Sequence, residues 1–212
     1  AQGRGEAFDY LLGERTIPSA DDAERAAAAA LLAAEHPVLS VNGNVAALVP
    51  GELVTLAEAT GADLEVNLFN RTAERMQAIA DHLREHGAEE VKGLAADAQI
   101  PGLSHERAKV DRDGIYDADT VLVPLEDGDR AEALGEMDKT EIVIDLNPLS
   151  RSAQVATIPI VDNAVRAVPG ITEHARDLAD ADETALREIV DEFDADAALA
   201  AAEDAIRGGE LE

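Results

Sequence analysis

The chain has 212 residues, 46% of them hydrophobic, no cysteine and a formal net charge of −28. The lack of cysteine excludes disulfides, cysteine-ligated metals and cysteine nucleophiles, and no apolar run reaches the roughly 20 residues that cross a bilayer. The negative charge disfavours a nucleic-acid partner, because the phosphate backbone would be repelled.

These features predict one soluble cytoplasmic domain over residues 1–212, without a membrane partner. The hydrophobic content and clear periodicity argue against the disorder that such acidity could indicate. We interpret the charge as adaptation to a salt-rich (halophilic) cytosol, where screening makes self-repulsion tolerable. A site for anionic substrates must then be a local positive cluster, so the arginines are especially informative.

Apolar runs with the character of buried strands recur along the chain, and helical patterns lie between them. Because the runs are apolar throughout and alternate with helices, they predict a mostly parallel sheet with helices on both faces, an α/β fold of Rossmann-like type. The predicted strands are Pro37–Val41, Leu64–Phe69, Val121–Leu125, Ile142–Leu146 and Ile158–Val161, with a weaker one at Val91–Leu94.

Several helix boundaries can also be predicted. Asp21 with Glu24 has the spacing of a capping box, which would start an alanine-rich helix. Pro50 suits the first turn of the next helix. Residues 164–208 form a C-terminal helical region, which includes an acidic helix over Asp182–Arg207. Residues 96–114 are polar, aperiodic and punctuated by Pro and Gly, which predicts an ordered excursion from the main fold.

The segments that follow the predicted strands are rich in Asn, Asp and Arg. In sheets of this kind, ligands bind at the carboxyl ends of the strands, where helix N-termini present free N–H groups. This coincidence of position and chemistry predicts a polar binding site at that edge. The segments are VNGN (41–44), NLFNRT (67–72), PLEDGDR (124–130), DLNPLSR (145–151) and VDNAVR (161–166).

The first two segments suggest anion or polyol binding. Asn44 can cap the helix that follows it, which leaves Asn42 without a structural reason, so we expect at least one of the two to bind a ligand. Arg71, in Asn-Arg-Thr, resembles the 2′-phosphate clamp of NADP-dependent enzymes of the shikimate dehydrogenase type. Since no Gly-x-Gly-x-x-Gly precedes it, we expect Arg71 to bind another phosphate.

The later segments combine carboxylates with arginine. Asp129 with Glu132 could be a capping box, or the carboxylates around Asp127 could organise Mg²⁺ while Arg130 contacts an anion. Arg151 is predicted in the first turn of a helix, a position that the helix dipole disfavours for a cation unless an anion is near. Asp145, at a strand end, suits ribose hydroxyls or a metal.

The five histidines lack the sequence spacing of metal ligands, so no protein-held metal site is predicted from them. His105 lies beside Arg107 and Lys109 in the excursion. In a chain of such negative charge, this small basic cluster is a candidate lid or substrate contact.

Taken in order, the motifs over about Gly3 to Ala167 resemble the archaeal 4-phosphopantoate–β-alanine ligases, also called phosphopantothenate synthetases. The motifs that carry the resemblance are GRGEAFDYLLGERT, SVNGNVAALVP, EVNLFNRT, IPGLSHERAKVD, GIYDADTVLVPLEDGDRAEAL, IDLNPLSR and IVDNAVRA.

This resemblance implies a homodimeric enzyme of coenzyme A biosynthesis that joins 4-phosphopantoate to β-alanine, using ATP with Mg²⁺ and releasing AMP and pyrophosphate. It also implies a helical segment before the Gly-Arg-Gly-Glu motif, which we expect this chain to lack. The implied nucleotide contacts are Arg4, Asp145, Leu146, Asn147, Arg151, Ser152, Asn163 and Ala164.

The remaining roles are less defined. Candidates for catalysis are His105, Arg107, Asp127 and Arg130, and none of them is singled out as the base that takes the proton of the amine. Candidates for substrate binding are Asn42, Asn44, Asn67 and Arg71.

Two other functions compete with the ligase. An NADP-dependent oxidoreductase would rest on the Asn-Arg-Thr segment, although the missing glycine fingerprint opposes it. A non-catalytic nucleotide-binding regulator would share the arginine loops, but the polar groups at five strand ends exceed what one nucleotide needs.

Overall fold

A computed structural model of the protein describes residues 2–125 and 128–208, the first three of these by their backbone only. Asp127 and the side chain of Arg4, both predicted to act at the site, therefore lie outside the described part. Within the described part, no helix is long and apolar enough to cross a membrane.

Among the described residues, the main sheet has five parallel strands, and the five principal sequence predictions are confirmed. The strands are β1 (Pro37–Val41), β2 (Asp63–Val66), β5 (Thr120–Pro124), β6 (Thr140–Ile144) and β7 (Ile158–Ile160), while β3 (Ala98–Gln99) and β4 (Lys109–Val110) form a separate antiparallel pair. The order in the main sheet is β2-β1-β5-β6-β7. The chain therefore reverses direction across the sheet between β1 and β5, where doubly wound folds bind their ligands.

The weaker predicted strand at Val91–Leu94 is wrong. Lys92 makes an isolated parallel bridge with Glu65, and Gly93 then turns away with φ +94°. A positive φ is incompatible with a continuing strand, so the pairing stops after one residue.

Helices connect and cover the strands. Their bounds are α1 (Gln2–Leu12), α2 (Pro18–Ala33), α3 (Gly43–Leu48), α4 (Pro50–Thr60), α5 (Ala73–Glu85), α6 (Gly128–Gly135), α7 (Arg151–Val155), α8 (Ala164–Asp177), α9 (Glu183–Glu192) and α10 (Ala195–Gly208).

Three details of the predicted helices are wrong. Helix α2 begins at Pro18, so Asp21 and Glu24 lie inside the helix and form no capping box. Helix α6 begins at Gly128, which places Asp129 inside it as well. The predicted acidic helix is two helices, because Phe193 is extended and the carboxylate of Asp194 accepts the backbone N–H of Ala197 to cap α10.

Different elements pack on the two faces of the sheet. Leu39 and Val41 of β1 pack toward α2, α4 and α8 in one apolar cluster. Val38 points to the other face, where Val121 and Val123 pack against the excursion and α6. Successive residues of a strand point to opposite faces, so both covers are built from alternate residues of the same apolar runs.

The excursion (residues 96–114) lies on this second face and is held there by buried carboxylates. Glu65 of β2 accepts the backbone N–H of Asp111 (3.0 Å) and of Ile115 (2.6 Å). Asp111 in turn accepts the N–H of Gly93 (2.7 Å) and of Ala96 (2.5 Å). Side chains thus satisfy backbone donors of the excursion, which lets it cover the sheet with little regular structure besides β3 and β4.

Candidate active site

Asn42 joins the two loops at the topological switch point. Its backbone is extended and its Oδ1 accepts the N–H of Asn44 (2.9 Å) and of Val45 (3.1 Å), so it is the N-cap of α3. Its Nδ2 donates to the carbonyl oxygen of Pro124 (2.8 Å), at the end of β5. The interpretation that Asn44 is the cap is therefore wrong. Asn42 is the residue that caps the helix, and Asn44 is exposed in the first turn of α3.

Asn67 holds the excursion on the carboxyl end of β2. Its Nδ2 donates to the carbonyl oxygens of Arg107 (3.2 Å) and Lys109 (3.1 Å), and its Oδ1 accepts from Nε of Arg107 (3.1 Å). Both Asn67 and Arg107 are buried. Asn67 therefore positions Arg107 and the backbone around it, and direct contact with a substrate stays a prediction for both.

Two arginines form a cationic region beside the β1 and β2 loops. Arg71 Nη2 donates to the carbonyl oxygen of Gly93 (2.6 Å), while its Nη1 is buried and has no hydrogen-bond partner among the described residues. Arg75 Nη1 donates to the carbonyl oxygen of Asn70 (2.7 Å), and its Nη2 is 3.8 Å from where a Cβ on Gly43 would lie. An unpartnered buried guanidinium nitrogen is costly, which makes this region a natural anion site.

The sequence analysis missed Arg75, although a signal was present. Arg75 follows Arg71 by four residues and lies in the first turn of α5, whose N-cap is Thr72. A cation there is disfavoured by the helix dipole, the same argument that singled out Arg151.

His105 lies at the mouth of a cleft between the excursion and α6. Its ring packs against Phe69 with centroids 5.4 Å apart, and its Nδ1 is buried without a hydrogen-bond partner in the described part of the chain. The cleft has a volume of about 250 Å³, and its other wall carries the carboxylates of Asp129, Glu132 and Glu136. His105 thus lines a cleft that also carries carboxylates, and its catalytic role stays a prediction.

Arg130, another catalytic candidate, is fully buried beneath the sheet edge. Its Nη2 is 3.3 Å from the hydroxyl of Ser40 on β1. Arg130 also affects Glu65. Burial raises the pKa of Glu65 to about 7, and the positive charge of Arg130 offsets part of that rise. Arg130 therefore lies in the interior against β1, and its catalytic role stays a prediction.

The segment after β6 is organised by its own side chains. Asp145 Oδ1 accepts the N–H of Asn147 (2.9 Å), and Ser152 Oγ lies 3.4 Å from Asp145 Oδ2. Asn147 Oδ1 accepts the N–H of Leu149 (3.0 Å), and Ser150 caps α7 through the N–H of Ala153. The turn is therefore fixed before any ligand arrives.

Arg151 reaches from this turn to α6. It pairs with Asp129, and its Nε lies 3.5 Å from Glu132 Oε1. Its side chain passes over Gly128, where a Cβ would lie 2.3 Å from Nε, so only glycine leaves room. The carboxylates that looked like a capping box in the sequence are instead the anions that Arg151 needs in the first turn of α7.

A second cavity, called here the α1 pocket, has a volume of about 400 Å³ and opens between α1 and the ends of β5 and β6. Leu125 in its wall has φ +59°, a strained value for a side chain of this size. Asn163 caps α8 through the N–H of Val165 (3.2 Å), and Ala164 is buried in the first turn. The lining residues are Gly5, Glu6, Asp9, Tyr10, Glu14, Leu125, Leu146 and Asn163.

A charged network fixes α1 against α8 behind this pocket. Arg166 bridges Asp9 of α1 and the buried Asp162 (Nε to Oδ1, 2.9 Å). Asp9 Oδ2 also accepts from Asn163 Nδ2 (2.7 Å), and Asp162 Oδ2 accepts from Thr16 Oγ1 (2.6 Å). Sequence reasoning missed Asp9 and Asp162; the four-residue spacing of Asp162 and Arg166 on a helix start was the available signal.

Comparison with known proteins matches residues 19–209 to the family model described as phosphopantothenate/pantothenate synthetase. The chain belongs to the phosphopantothenate/pantothenate synthetase family.

Relatives of this synthetase family support the match over most of the chain. The 4-phosphopantoate–β-alanine ligase of Thermococcus kodakarensis is 60% identical over 195 residues, which are 92% of this chain and 75% of the relative. Those of Methanosarcina mazei and Methanospirillum hungatei are 60% and 55% identical over 178 residues, which are 84% of this chain and 70% and 72% of the relatives. These organisms favour the archaeal source that the resemblance predicts.

Membership of the synthetase family confirms the resemblance and makes the chain an enzyme of the ligase class. It removes the support for the oxidoreductase and for the regulator. The candidate residues fall into two groups, the cationic region with Asn44 beside β1 and β2, and the α1 pocket with the Asp145–Ser152 turn after β6. The central strand of the sheet, β5, lies between β1 and β6.

Proposed function

We propose that this chain joins 4-phosphopantoate to β-alanine in an ATP-dependent, AMP-forming reaction that yields 4′-phosphopantothenate for coenzyme A biosynthesis. The observation that carries the proposal is the division of one sheet edge into two regions of different chemistry. A cationic region suits a small phosphorylated acid, and a cavity beside the N-terminus of α8 suits a nucleotide. The relatives are named 4-phosphopantoate–β-alanine ligases, which supports this assignment.

The proposed chemistry has two steps. The carboxylate oxygen of 4-phosphopantoate attacks the α-phosphorus of ATP, and the bond to the pyrophosphate oxygen breaks. The neutral amine of β-alanine then attacks the acyl carbon, the bond to AMP breaks, and the amine proton passes to a base. The first step brings two anions together, so neutralisation and alignment of charge are the main tasks of the protein.

The residues divide these tasks by position. Arg71 and Arg75 would hold the phosphate of 4-phosphopantoate, with Asn44 contacting its hydroxyl or carboxylate. Leu146, Asn147, Asn163 and Ala164 would contact the nucleotide, and Arg151 its phosphates. Among the residues that the structure describes, His105 is our candidate for the base. Its Nδ1 has no hydrogen-bond partner among them, so the nitrogen is available to accept a proton.

Asp145 is the described residue that would hold Mg²⁺. The Oδ2 of this carboxylate makes a long 3.4 Å contact with Ser152 Oγ, which leaves it free to take a stronger ligand. The bound ion would neutralise part of the triphosphate charge. A homodimer in solution, which the resemblance implies, is a further expectation that light scattering can test.

The reaction is tested with 4-phosphopantoate labelled with ¹⁸O in its carboxylate, in molar KCl with Mg²⁺, ATP and β-alanine. An acyl-adenylate route transfers one ¹⁸O to AMP in step with amide formation. Formation of ADP and labelled inorganic phosphate would contradict the adenylate route. A reaction that forms neither AMP nor ADP would contradict the ligase assignment.

The cationic region is tested with Arg71→Ala, for which we expect KM for 4-phosphopantoate to rise at least tenfold while KM for ATP changes little. Arg84→Ala is the matched control, because Arg84 pairs only locally with Asp81 on the exposed face of α5. Equal effects on the two KM values would contradict the division of the site.

A further inference from the structure

Three metal-ligating side chains meet where α2 packs on α8. Asp21 and Glu24 lie one turn apart on α2, and His174 comes from the third turn of α8. One ligand atom from each lies within 4.8 Å of the others, and His174 Nε2 is 3.0 Å from Asp21 Oδ1. Sequence spacing could not suggest this group, because 150 residues separate Glu24 from His174.

Glu24 is buried between α2 and α8. It is only 2% exposed, and its Oε1 has no hydrogen-bond partner in the part of the chain that the structure describes. The carboxylate lies against Gly170 of α8, where a Cβ would be 1.9 Å from Oε2. A carboxylate buried without a partner is costly, so a ligand is the natural explanation for its position.

We propose that Asp21, Glu24 and His174 form a site for a divalent transition-metal ion of the Zn²⁺ type, which clips α2 to α8. Bonds of about 2.0–2.2 Å place tetrahedral ligand atoms roughly 3.3–3.5 Å apart, a closure that side-chain rotation can supply. An imidazole with two carboxylates suits such an ion better than Mg²⁺ or Ca²⁺, which take oxygen ligands.

The exposure of the three residues is graded in a way that fits an ion entering from solvent. Asp21 is exposed, His174 is intermediate and Glu24 is buried. The fourth ligand would be a water molecule on the exposed side. His174 lies ten residues along α8 from Ala164, about 15 Å from the helix start, so the inference does not depend on the proposed reaction.

The test uses the whole chain stripped of metal with EDTA and then dialysed, titrated with Zn²⁺ at pH 7 in 1 M KCl. We expect one ion per chain by calorimetry. At a hundredfold excess over Kd, Tm should rise on the order of 5–10 °C. Mg²⁺ at the same concentration should have no such effect.

Variants separate this site from surface binding. Glu24→Gln and His174→Gln should lose the stoichiometric binding and the rise in Tm. Asp21→Asn, at an exposed position that folding does not need, should weaken binding at least tenfold. The matched control is His86→Gln, because His82 and His86 form an exposed pair on α5 with ring centroids 4.5 Å apart.

His86→Gln should bind Zn²⁺ as the wild type does. The proposal is overturned if Glu24→Gln and His174→Gln bind Zn²⁺ unchanged, or if His86→Gln abolishes the effect. It is also overturned if the wild type takes up no stoichiometric Zn²⁺, in which case Glu24 is simply a neutral buried acid.

Discussion

At the scale of single residues, Asn42 and Asn44 separate a structural role from a binding role within one turn. Asn42→Ala removes the cap of α3 and the bond to Pro124, so we expect a loss of about 1–2 kcal/mol in the free energy of unfolding. Asn44→Ala should leave stability unchanged and raise KM for 4-phosphopantoate. Chemical denaturation and steady-state kinetics measure the two effects, and a destabilised Asn44→Ala would contradict the assignment of the cap.

Buried carboxyls make stability depend on pH at the same scale. The pKa of Glu65 is raised to about 7 in the folded state by burial. Since the folded pKa exceeds the unfolded one, the contribution of Glu65 is complete below about pH 4.5 and is lost as pH rises to 7. Through Glu65, the free energy of unfolding should fall by at most about 1.4 kcal/mol per pH unit.

The comparison that isolates this slope uses Glu65→Gln, whose unfolding free energy relative to wild type should change between pH 5 and 7 and level off above. Glu24→Gln, measured with EDTA present, should show a difference that continues to about pH 9. Identical pH profiles of wild type and both variants would contradict the two raised pKa values.

At the scale of elements, the excursion depends on the backbone at Gly93. A Cβ there would lie 2.2 Å from the carbonyl oxygen of Val66, and φ is +94°. Gly93→Ala should cost on the order of 3 kcal/mol or more and, by moving the carbonyl that holds Arg71, raise KM for 4-phosphopantoate.

Gly102→Ala is the matched control for this prediction. Gly102 also has a positive φ, but a Cβ there meets no atom within 4 Å. Gly102→Ala should lower the free energy of unfolding by about 1–2 kcal/mol and leave KM for 4-phosphopantoate unchanged. Equal losses in the two variants would mean that backbone conformation alone, and not the approach of Val66, constrains Gly93.

At the scale of the whole molecule, a net charge of −28 should make stability strongly dependent on salt. Screening shortens from about 10 Å at 0.1 M to about 3 Å at 1 M, so Tm should rise steeply with KCl in this range and less beyond it. Thermal unfolding followed by circular dichroism measures this. A Tm that does not change up to 1 M KCl would contradict adaptation to a salt-rich cytosol.

Some properties of the protein follow from local patterns that any reader of the chain can see. The principal strands are apolar on both faces, and such runs are stable only between two covering layers, which dictates a parallel sheet. In a parallel sheet with helical crossovers, all the strand ends meet at one edge. That Asn42, Arg71 and Asp145 lie along one edge of the sheet therefore needed no structure to predict.

Other properties of the site depended on neighbours distant in sequence. The partner of Asn42 is the carbonyl of Pro124, and the anions that accept Arg151 lie on α6. The weak strand at Val91–Leu94 failed because a positive φ at Gly93, fixed by Asp111, ended its pairing. No pattern within a window of the chain contains these contacts.

The sequence by itself determined the fold class, and it placed the polar and charged side chains of the candidate site at one edge of the sheet. Hydrophobic periodicity and turn residues act over a few positions, so they can be read directly. Only the tertiary structure decided the strand order and which side chains hydrogen-bond to the loops. It also brought Asp21, Glu24 and His174 together. These depend on which helices pack together, and packing is a balance of long-range contacts that no local pattern encodes.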